Sequence, residues 1–180
     1  DLEPIPDFDP HTVEYERVAE YKRDKLRAAY ERFDETATED DRAALEAFRE
    51  SEPWVEEYAL FRALKQKHDG VAWIDWPEPI RTRDPGALDE AREELSEEIE
   101  YRVLVQYWFD KQWNAFKADA EDAGIKLVGD VPIYVGLDSA DVWASPETFQ
   151  LDDQNRPTAV AGVPPNSGDD GQKWGNPLYD

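Results

Sequence analysis

One long helical repeat followed by a short apolar run limits most strongly what this chain can fold into. The stretch DPGALDEAREELSEEIEYRVLVQYWFDKQWNAFKADAEDAG carries apolar residues at helical spacing, which predicts a single helix from Pro85 to Ala123. The first half has acidic residues outside and the second half is aromatic, so we expect the second half to be buried more deeply. Gly124 ends the helix, and the length and β-branched content of IKLVGD after it predict a buried strand.

A long helix, a glycine, a buried strand and then an aspartate form one α-to-β step of a β/α barrel. In such barrels the carboxyl ends of the strands carry the functional groups, so Asp130 is expected to point into a cleft. The same spacing also fits an aspartate that caps a helix or closes a turn.

Three shorter helices are expected before this repeat. The first is expected between Asp9 and Phe33, where apolar residues recur at helical spacing. Thr38, followed by three acidic residues, caps the second. The third begins after Ser51 and ends near Gly70.

Two further stretches lack helical periodicity. VAWIDWPEPI contains two prolines and two tryptophans, which predicts a loop packed by its aromatic side chains. After Tyr134 the regular pattern fades into polar loops.

The chain is strongly acidic, with 43 Asp and Glu against 20 Lys and Arg and a net charge of -23. Self-repulsion destabilises such a chain in dilute salt, whereas molar salt shortens the screening length to about 3 Å. The even spread of acid favours the solvated surface of a protein adapted to strong brine; a site for a basic partner, the alternative, would gather the acid in one cluster. Nucleic acid is disfavoured as a partner, because phosphate contacts need basic patches and the sequence shows none.

The sequence contains no cysteine, so neither disulfides nor thiol metal sites are expected. It has no apolar run of membrane-spanning length and opens with no signal peptide, which predicts a cytoplasmic location by default. It begins Asp1-Leu2 and contains no methionine, so we expect that the chain was processed or that its beginning is missing.

The segment LDSADVWASPETF gathers Asp138, Ser139, Asp141 and Trp143 within six positions. Carboxylates beside an exposed Trp suit sugar binding, because hydroxyls seek charged acceptors and pyranose faces stack on aromatic rings. The alternative is that Asp138 or Ser139 only caps a short helix that runs through Trp143.

Metal binding is not expected. LDDQNRP lacks the glycine and the distant glutamate of a calcium loop, so it is interpreted as a turn. His11 and His68 lie far apart and are expected at the surface.

Several segments together resemble one enzyme family. GDVPIYVGLDSADVWASPETFQLD, NRPTAVAGVPP and GQKWGNPLYD are similar to the amylomaltases, the 4-α-glucanotransferases of bacteria, archaea and plant plastids. Upstream, WVEEYALFRALK and EELSEEIEYRVLVQYWFDKQW resemble the helical region of the same family. The resemblance covers nearly the whole chain.

The resemblance implies an α/β fold, with this chain a mostly helical slice of a (β/α)8 barrel. Residues 1–123 would be the helical insertion, and residues 124–180 one barrel strand with its active-face loops. The family transfers α-1,4-glucan segments between maltodextrins by a retaining mechanism, without a metal or organic cofactor. Its nucleophile, acid/base and stabilising carboxylate follow the WGNPLYD segment, so no residue of this chain is assigned a catalytic role.

The resemblance also implies substrate-binding residues in three segments. The implied residues are Asp130 at the end of the strand, Asp138, Ser139 and Trp143 in DSADVW, and Gln172 and Trp174 in a flexible loop that borders the cleft. Asp130 matches a family aspartate on the donor side of the active site.

One departure from the family pattern concerns the acceptor sugar. Family members commonly follow the proline pair with Asp-Tyr-Phe, whereas Pro164-Pro165 here runs into Asn166. The aromatic pair that would stack on an acceptor is absent, which leaves acceptor binding and ring formation open.

Two alternatives to an enzyme remain. The chain could be a glucan-binding module without catalysis, or a remnant without function.

Overall fold

The computed structural model describes residues 4–180 as a mostly helical protein with one two-stranded sheet. The helices are α1 (Tyr15–Thr36), α2 (Glu39–Ser51), α3 (Trp54–Lys67), α4 (Glu78–Arg81), α5 (Pro85–Glu94), α6 (Ser96–Asp122) and α7 (Ala140–Ala144). The strands are β1 (Val160–Val163) and β2 (Gln172–Pro177), which pair antiparallel. Two 3-10 turns cover Trp73–Asp75 and Pro146–Thr148.

Helix α3 forms the centre of the core. It buries six apolar side chains on several of its faces, so that it is covered by other elements almost all round. Helix α6 covers one side with Val103 and Leu104, and α7 covers another with Val142 and Trp143. The expected aromatic loop is confirmed, since Trp73 is buried at its 3-10 turn.

The expected start of α2 at Thr38 is also confirmed, whereas α1 begins at Tyr15 rather than near Asp9. The Thr38 hydroxyl accepts a hydrogen bond from the backbone N–H of Asp41, and the Asp41 carboxylate accepts one from the backbone of Thr38. Helix α1 buries no side chain fully and lies against α6 through the edge-to-face pair of Tyr30 and Tyr101.

The prediction of a single long helix between Pro85 and Ala123 is wrong, because the helix is interrupted at Leu95. The backbone of Leu95, at φ -103° and ψ 15°, leaves the helical region and separates α5 from α6. Helix α5 contributes Leu88 and Ala91 to the core, and α6 packs against α3.

The expected burial within α6 is reversed. Ile99 and Val103 in its first half are buried, whereas Phe109, Trp113 and Phe116 in its second half are exposed. At 1.5 Å per residue the 27-residue α6 is about 40 Å long and the 14-residue α3 about 21 Å. Helix α3 is therefore too short to cover the aromatic end of α6.

The prediction of a buried strand at IKLVGD is also wrong. Residues 125–130 have no regular structure and are all exposed, with Val128 at 95% of its full accessible area. A strand of a parallel barrel hydrogen-bonds to a neighbour on each side, and within residues 4–180 this segment has no such neighbour.

The carboxyl-terminal part is more regular than the expected polar loops. The β1–β2 pair brings the two backbones close together at Gly162, where a Cβ atom would lie 2.1 Å from the carbonyl oxygen of Gln172. Gly171, at φ +77°, makes the turn into β2 with a backbone conformation that other residues rarely adopt.

The proposed boundary between residues 123 and 124 falls just after α6 ends at Asp122. Side chains from both parts share one core, because Trp143 and Phe149 pack with those of α3. The division into two units stays a prediction. No helix within residues 4–180 is both long and apolar enough for a membrane span.

Truncation of α3 in the core should be costly. Leu64→Ala removes a side chain that is 1% exposed, and the resulting cavity is expected to lower the free energy of unfolding by about 2–5 kcal/mol. Val128→Ala, at a position that is 95% exposed, is the control and should change it by less than about 0.5 kcal/mol. Urea unfolding followed by circular dichroism measures both, and equal effects would contradict the placement of the core.

Candidate functional site

Four aromatic rings from different segments form a continuous row, here called the aromatic row. Its members are Trp174, Tyr134, Tyr179 and Phe149. Neighbouring ring centroids are 6.4 Å apart between Trp174 and Tyr134, 6.2 Å between the two tyrosines and 5.2 Å between Tyr179 and Phe149. These spacings are those of aromatic pairs in contact.

Backbone hydrogen bonds hold the segments that carry the row. The Gln150 N–H donates to the Leu178 carbonyl at 2.8 Å, and the Asp180 N–H donates to the Thr148 carbonyl at 2.9 Å. The side-chain amide of Asn176 donates to the Val135 carbonyl at 2.9 Å, which ties β2 to the segment of Tyr134. Two backbone hydrogen bonds therefore fix the row between Phe149 and Tyr179, and one side-chain-to-backbone hydrogen bond fixes it at Tyr134.

Trp174 lies at the exposed end of the row. Half of its surface is accessible, and its indole Nε1 donates to Oε1 of Gln172 at 2.8 Å. Positions two apart on a strand point to the same face, so β2 places the amide beside the indole. Gln172 thus orients the ring of Trp174 while the ring surface stays open to solvent.

A groove of about 660 Å³ lies next to the buried end of the row. Its walls come from α3, α7 and the carboxyl-terminal segment, and they include Trp54, Tyr58, Asp141, Phe149 and Tyr179. Its volume falls within the range of small-molecule sites, and its walls combine aromatic surface with an exposed carboxylate.

Asp138 and Ser139 have structural contacts. The Asp138 carboxylate accepts hydrogen bonds from Nζ of Lys65 at 2.7 Å and from the backbone N–H of Trp73 at 3.2 Å. The Ser139 hydroxyl accepts from the backbone N–H of Val142 and caps α7. The structure thus matches the capping alternative that the sequence left open for Ser139.

The expected exposure of Trp143 is wrong. Its ring is fully buried, its Nε1 donates to the Ile80 carbonyl at 3.1 Å, and the Arg83 guanidinium lies 4.3 Å from its ring centroid. Helix α7 turns this side chain into the core against α3, so its face is closed to a sugar.

Asp130 lies in the exposed irregular segment after α6. Within residues 4–180, no hydrogen bond or ion pair involves its carboxylate. In the described part of the chain, no hydrogen bond links the Asp130 side chain to Gln172 or Trp174.

The other sequence candidates behave as structural residues. LDDQNRP is a turn, as expected, in which Oδ1 of Asp152 accepts hydrogen bonds from the backbone N–H groups of Gln154 and Arg156. The bonds from Arg156 and then Gln154 lower the pKa of Asp152. His11 is exposed, whereas His68 is partly buried against Trp76 and has a pKa lowered mainly by that burial. The described residues contain no cluster of three or more His, Asp or Glu side chains suited to a metal ion.

The turn after the proline pair is closed by polar side chains. Oδ1 of Asn166 accepts from the Gly168 N–H at 3.0 Å, and Oδ1 of Asp169 accepts from the Gly171 N–H at 2.9 Å. The chain after the proline pair therefore forms a compact polar turn.

Sequence reasoning missed three members of the aromatic row: Tyr134, Phe149 and Tyr179. Each lies in a segment without helical or strand periodicity. The only available signal was the recurrence of single aromatics among polar and turn residues, which does not say which rings meet.

The chain matches a family model over almost its full length. The glycoside hydrolase family 77 model, described as 4-alpha-glucanotransferase, matches residues 3–180. A 4-alpha-glucanotransferase of Thermus thermophilus is 48% identical over 176 residues, which are 97% of this chain and 35% of that protein. The chloroplastic/amyloplastic 4-alpha-glucanotransferase of Solanum tuberosum is 41% identical over 128 residues, or 71% of this chain and 22% of that protein.

A solved structure shares the fold. The amylomaltase from Streptococcus agalactiae in complex with acarbose is 41% identical and superposes with a TM-score of 0.88 over 97% of this chain. The match covers 35% of that structure, so the chain spans about a third of the length of the relatives it matches. On this evidence the chain belongs to the 4-alpha-glucanotransferase family.

Proposed function

We propose that this chain is the glucan-binding slice of a 4-α-glucanotransferase that moves α-1,4-glucan segments between maltodextrins. The observation that carries the proposal is the family match over residues 3–180 together with an aromatic row beside a groove. Flat apolar ring faces and nearby carboxylates are what a chain of pyranose rings requires from its binding surface.

Within this surface, Trp174 provides the platform on which a glucose ring stacks. Gln172 holds the indole in place and leaves part of its own amide free for a sugar hydroxyl. Trp174 lies half exposed at the rim, so a glucan can reach it without rearrangement of the core.

The remaining predicted residues have different roles in the proposal. Asp130 contacts substrate as a hydroxyl acceptor, because its carboxylate is exposed and unpaired among residues 4–180. Asp138, Ser139 and Trp143 act indirectly, since their contacts fix α7 and the loop before it, and α7 forms one wall of the groove.

The proposal includes a barrel context for the slice. Exposed apolar side chains cluster on the second half of α6 and on the segment after it, at Phe109, Trp113, Phe116, Val128 and Val131. Exposed apolar side chains in neighbouring positions are typical of an interface, which supports a larger fold around the slice. By family resemblance the catalytic carboxylates belong to that larger fold, and we expect the isolated chain to bind glucan without cleaving it.

Glucan binding by the isolated chain is tested first. Trp174→Ala should weaken binding of maltoheptaose by about tenfold, because the stacking surface is lost. Trp113→Ala is the control, since it removes another exposed tryptophan, from α6. Isothermal titration measures both, and an equal loss in the two variants, or no heat with the unchanged chain at about 1 mM sugar, contradicts the site.

The enzyme proposal is tested in a chimaera. Residues 3–180 replace the matching segment of the Thermus thermophilus relative, which is 48% identical. The chimaera should convert maltotriose into glucose and longer maltodextrins, and Trp174→Ala should lower its kcat/KM by about tenfold. If the chimaera folds but leaves maltotriose unchanged, the enzyme proposal fails. The alternative of a binding module would then remain, because the aromatic row lies entirely within this chain.

We also propose that the acidic surface is an adaptation to concentrated salt. The halophilic origin and the cytoplasmic location expected from the sequence stay predictions. The melting temperature of the chain should rise between 0.1 and 2 M KCl, because the screening length falls from about 10 Å to below 3 Å and repulsion among acidic groups weakens. Thermal unfolding followed by circular dichroism gives the answer. A melting temperature independent of salt would exclude salt adaptation.

A further inference from the structure

A basic groove lies between α1, α3 and α6, which is unexpected in a chain with a net charge of -23. The groove measures about 690 Å³, within the range of small-molecule sites. The basic side chains that line it are Arg23, Arg27, Arg62, Lys65 and Arg102. Asp24 and Asp69 are its acidic lining residues, in a chain whose acidic residues outnumber the basic ones two to one.

Lys65 is already satisfied and does not contribute to ligand binding. Its Nζ donates to the carbonyl oxygens of Gly70 and Val71 and to the carboxylate of Asp138. A lysine ammonium has three donors, and these contacts use all of them.

Arg27 and Arg102 are held side by side by one carboxylate. Glu98, whose side chain is 13% exposed, accepts from Nη2 of Arg27 and from Nε of Arg102. Since one carboxylate offsets only one guanidinium, the triad keeps a positive charge. The Arg27 guanidinium also lies 3.6 Å from the centroid of the Tyr101 ring, and Arg102 donates to Oε1 of Gln66 at 2.8 Å. Both arginines are thus oriented in advance and still have N–H groups without a partner.

Arg23, on α1 like Arg27, and Arg62, on α3, add further positive charge. Both are exposed, and within residues 4–180 neither side chain has a hydrogen bond or an ion pair. Even after Asp24 and Asp69 are counted, the groove keeps a net positive charge. Four guanidinium groups on three helices therefore face one concave volume.

We propose that this groove binds a phosphate monoester, such as a sugar phosphate. A phosphate monoester carries close to two negative charges and three acceptor oxygens at neutral pH. Arginine forks match these oxygens in bidentate geometry, and the pre-oriented pair at Glu98 reduces the cost of ordering them. The amide of Gln66 and the volume of the groove leave room for the sugar part of such a ligand.

The test is titration of the 180-residue chain with glucose 6-phosphate, inorganic phosphate and glucose in 0.1 M KCl. We expect glucose 6-phosphate to bind with a Kd of about 1 mM or tighter and glucose not to compete for the groove. Arg23→Gln/Arg62→Gln should weaken phosphate binding by at least about tenfold, because both unpaired guanidinium groups are lost. Arg32→Gln/Arg156→Gln, which changes the net charge equally but lies outside the groove, should leave it unchanged.

The outcomes separate the sources of the phosphate. Tighter binding of glucose 6-phosphate than of inorganic phosphate assigns the groove to a sugar phosphate, and equal binding assigns it to the anion itself; both support the proposal. Equal Kd values in the two double variants, or no binding at about 10 mM, overturn it. The two double variants are compared again in 1 M KCl, which favours the fold, by line broadening in phosphorus NMR. Phosphate binding should be weaker in this salt, but it should depend on Arg23 and Arg62 in the same way.

Discussion

Burial of α3 is the interaction on which the rest of the structure depends. This helix is short, but its side chains contact α5, α6, α7 and the aromatic 3-10 turn. Phe61 illustrates the point, since its ring lies 5.5 Å from that of Trp76 and 5.9 Å from that of Trp143. Because α7 is fixed against α3 in this way, it can form a wall of the groove beside the aromatic row.

Charge distribution separates two surfaces of the molecule. Acidic residues lie on most exposed helix faces, and many of the arginines pair with them, as Arg83 and Arg92 do with Glu57. The groove between α1, α3 and α6 departs from this pattern with its four convergent guanidinium groups. The aromatic row lies elsewhere, on elements that follow α6, so the proposed sugar site and the proposed anion site use different parts of the fold.

The row also explains why single sequence motifs gave an incomplete account of the site. Trp143 and Trp174 are both aromatic residues in polar segments, yet one is fully buried and the other half exposed. The difference arises because α7 has an apolar neighbour in α3, whereas β2 turns Trp174 toward solvent at the edge of a two-stranded sheet. A ring can serve as a sugar platform only in the second situation.

The sequence by itself determined the helical character, the start of α2 and the family. Thr38 and Asp41 encode the start of α2 through local hydrogen bonds, and periodicity placed α1 and α3, because these signals act within one or two turns of chain. Tertiary structure decided the helix interruption at Leu95, the exposure of Phe109 and the irregular backbone of residues 125–130. These features depend on which elements lie opposite and how far those elements extend, and apolar spacing within a segment carries no information about either.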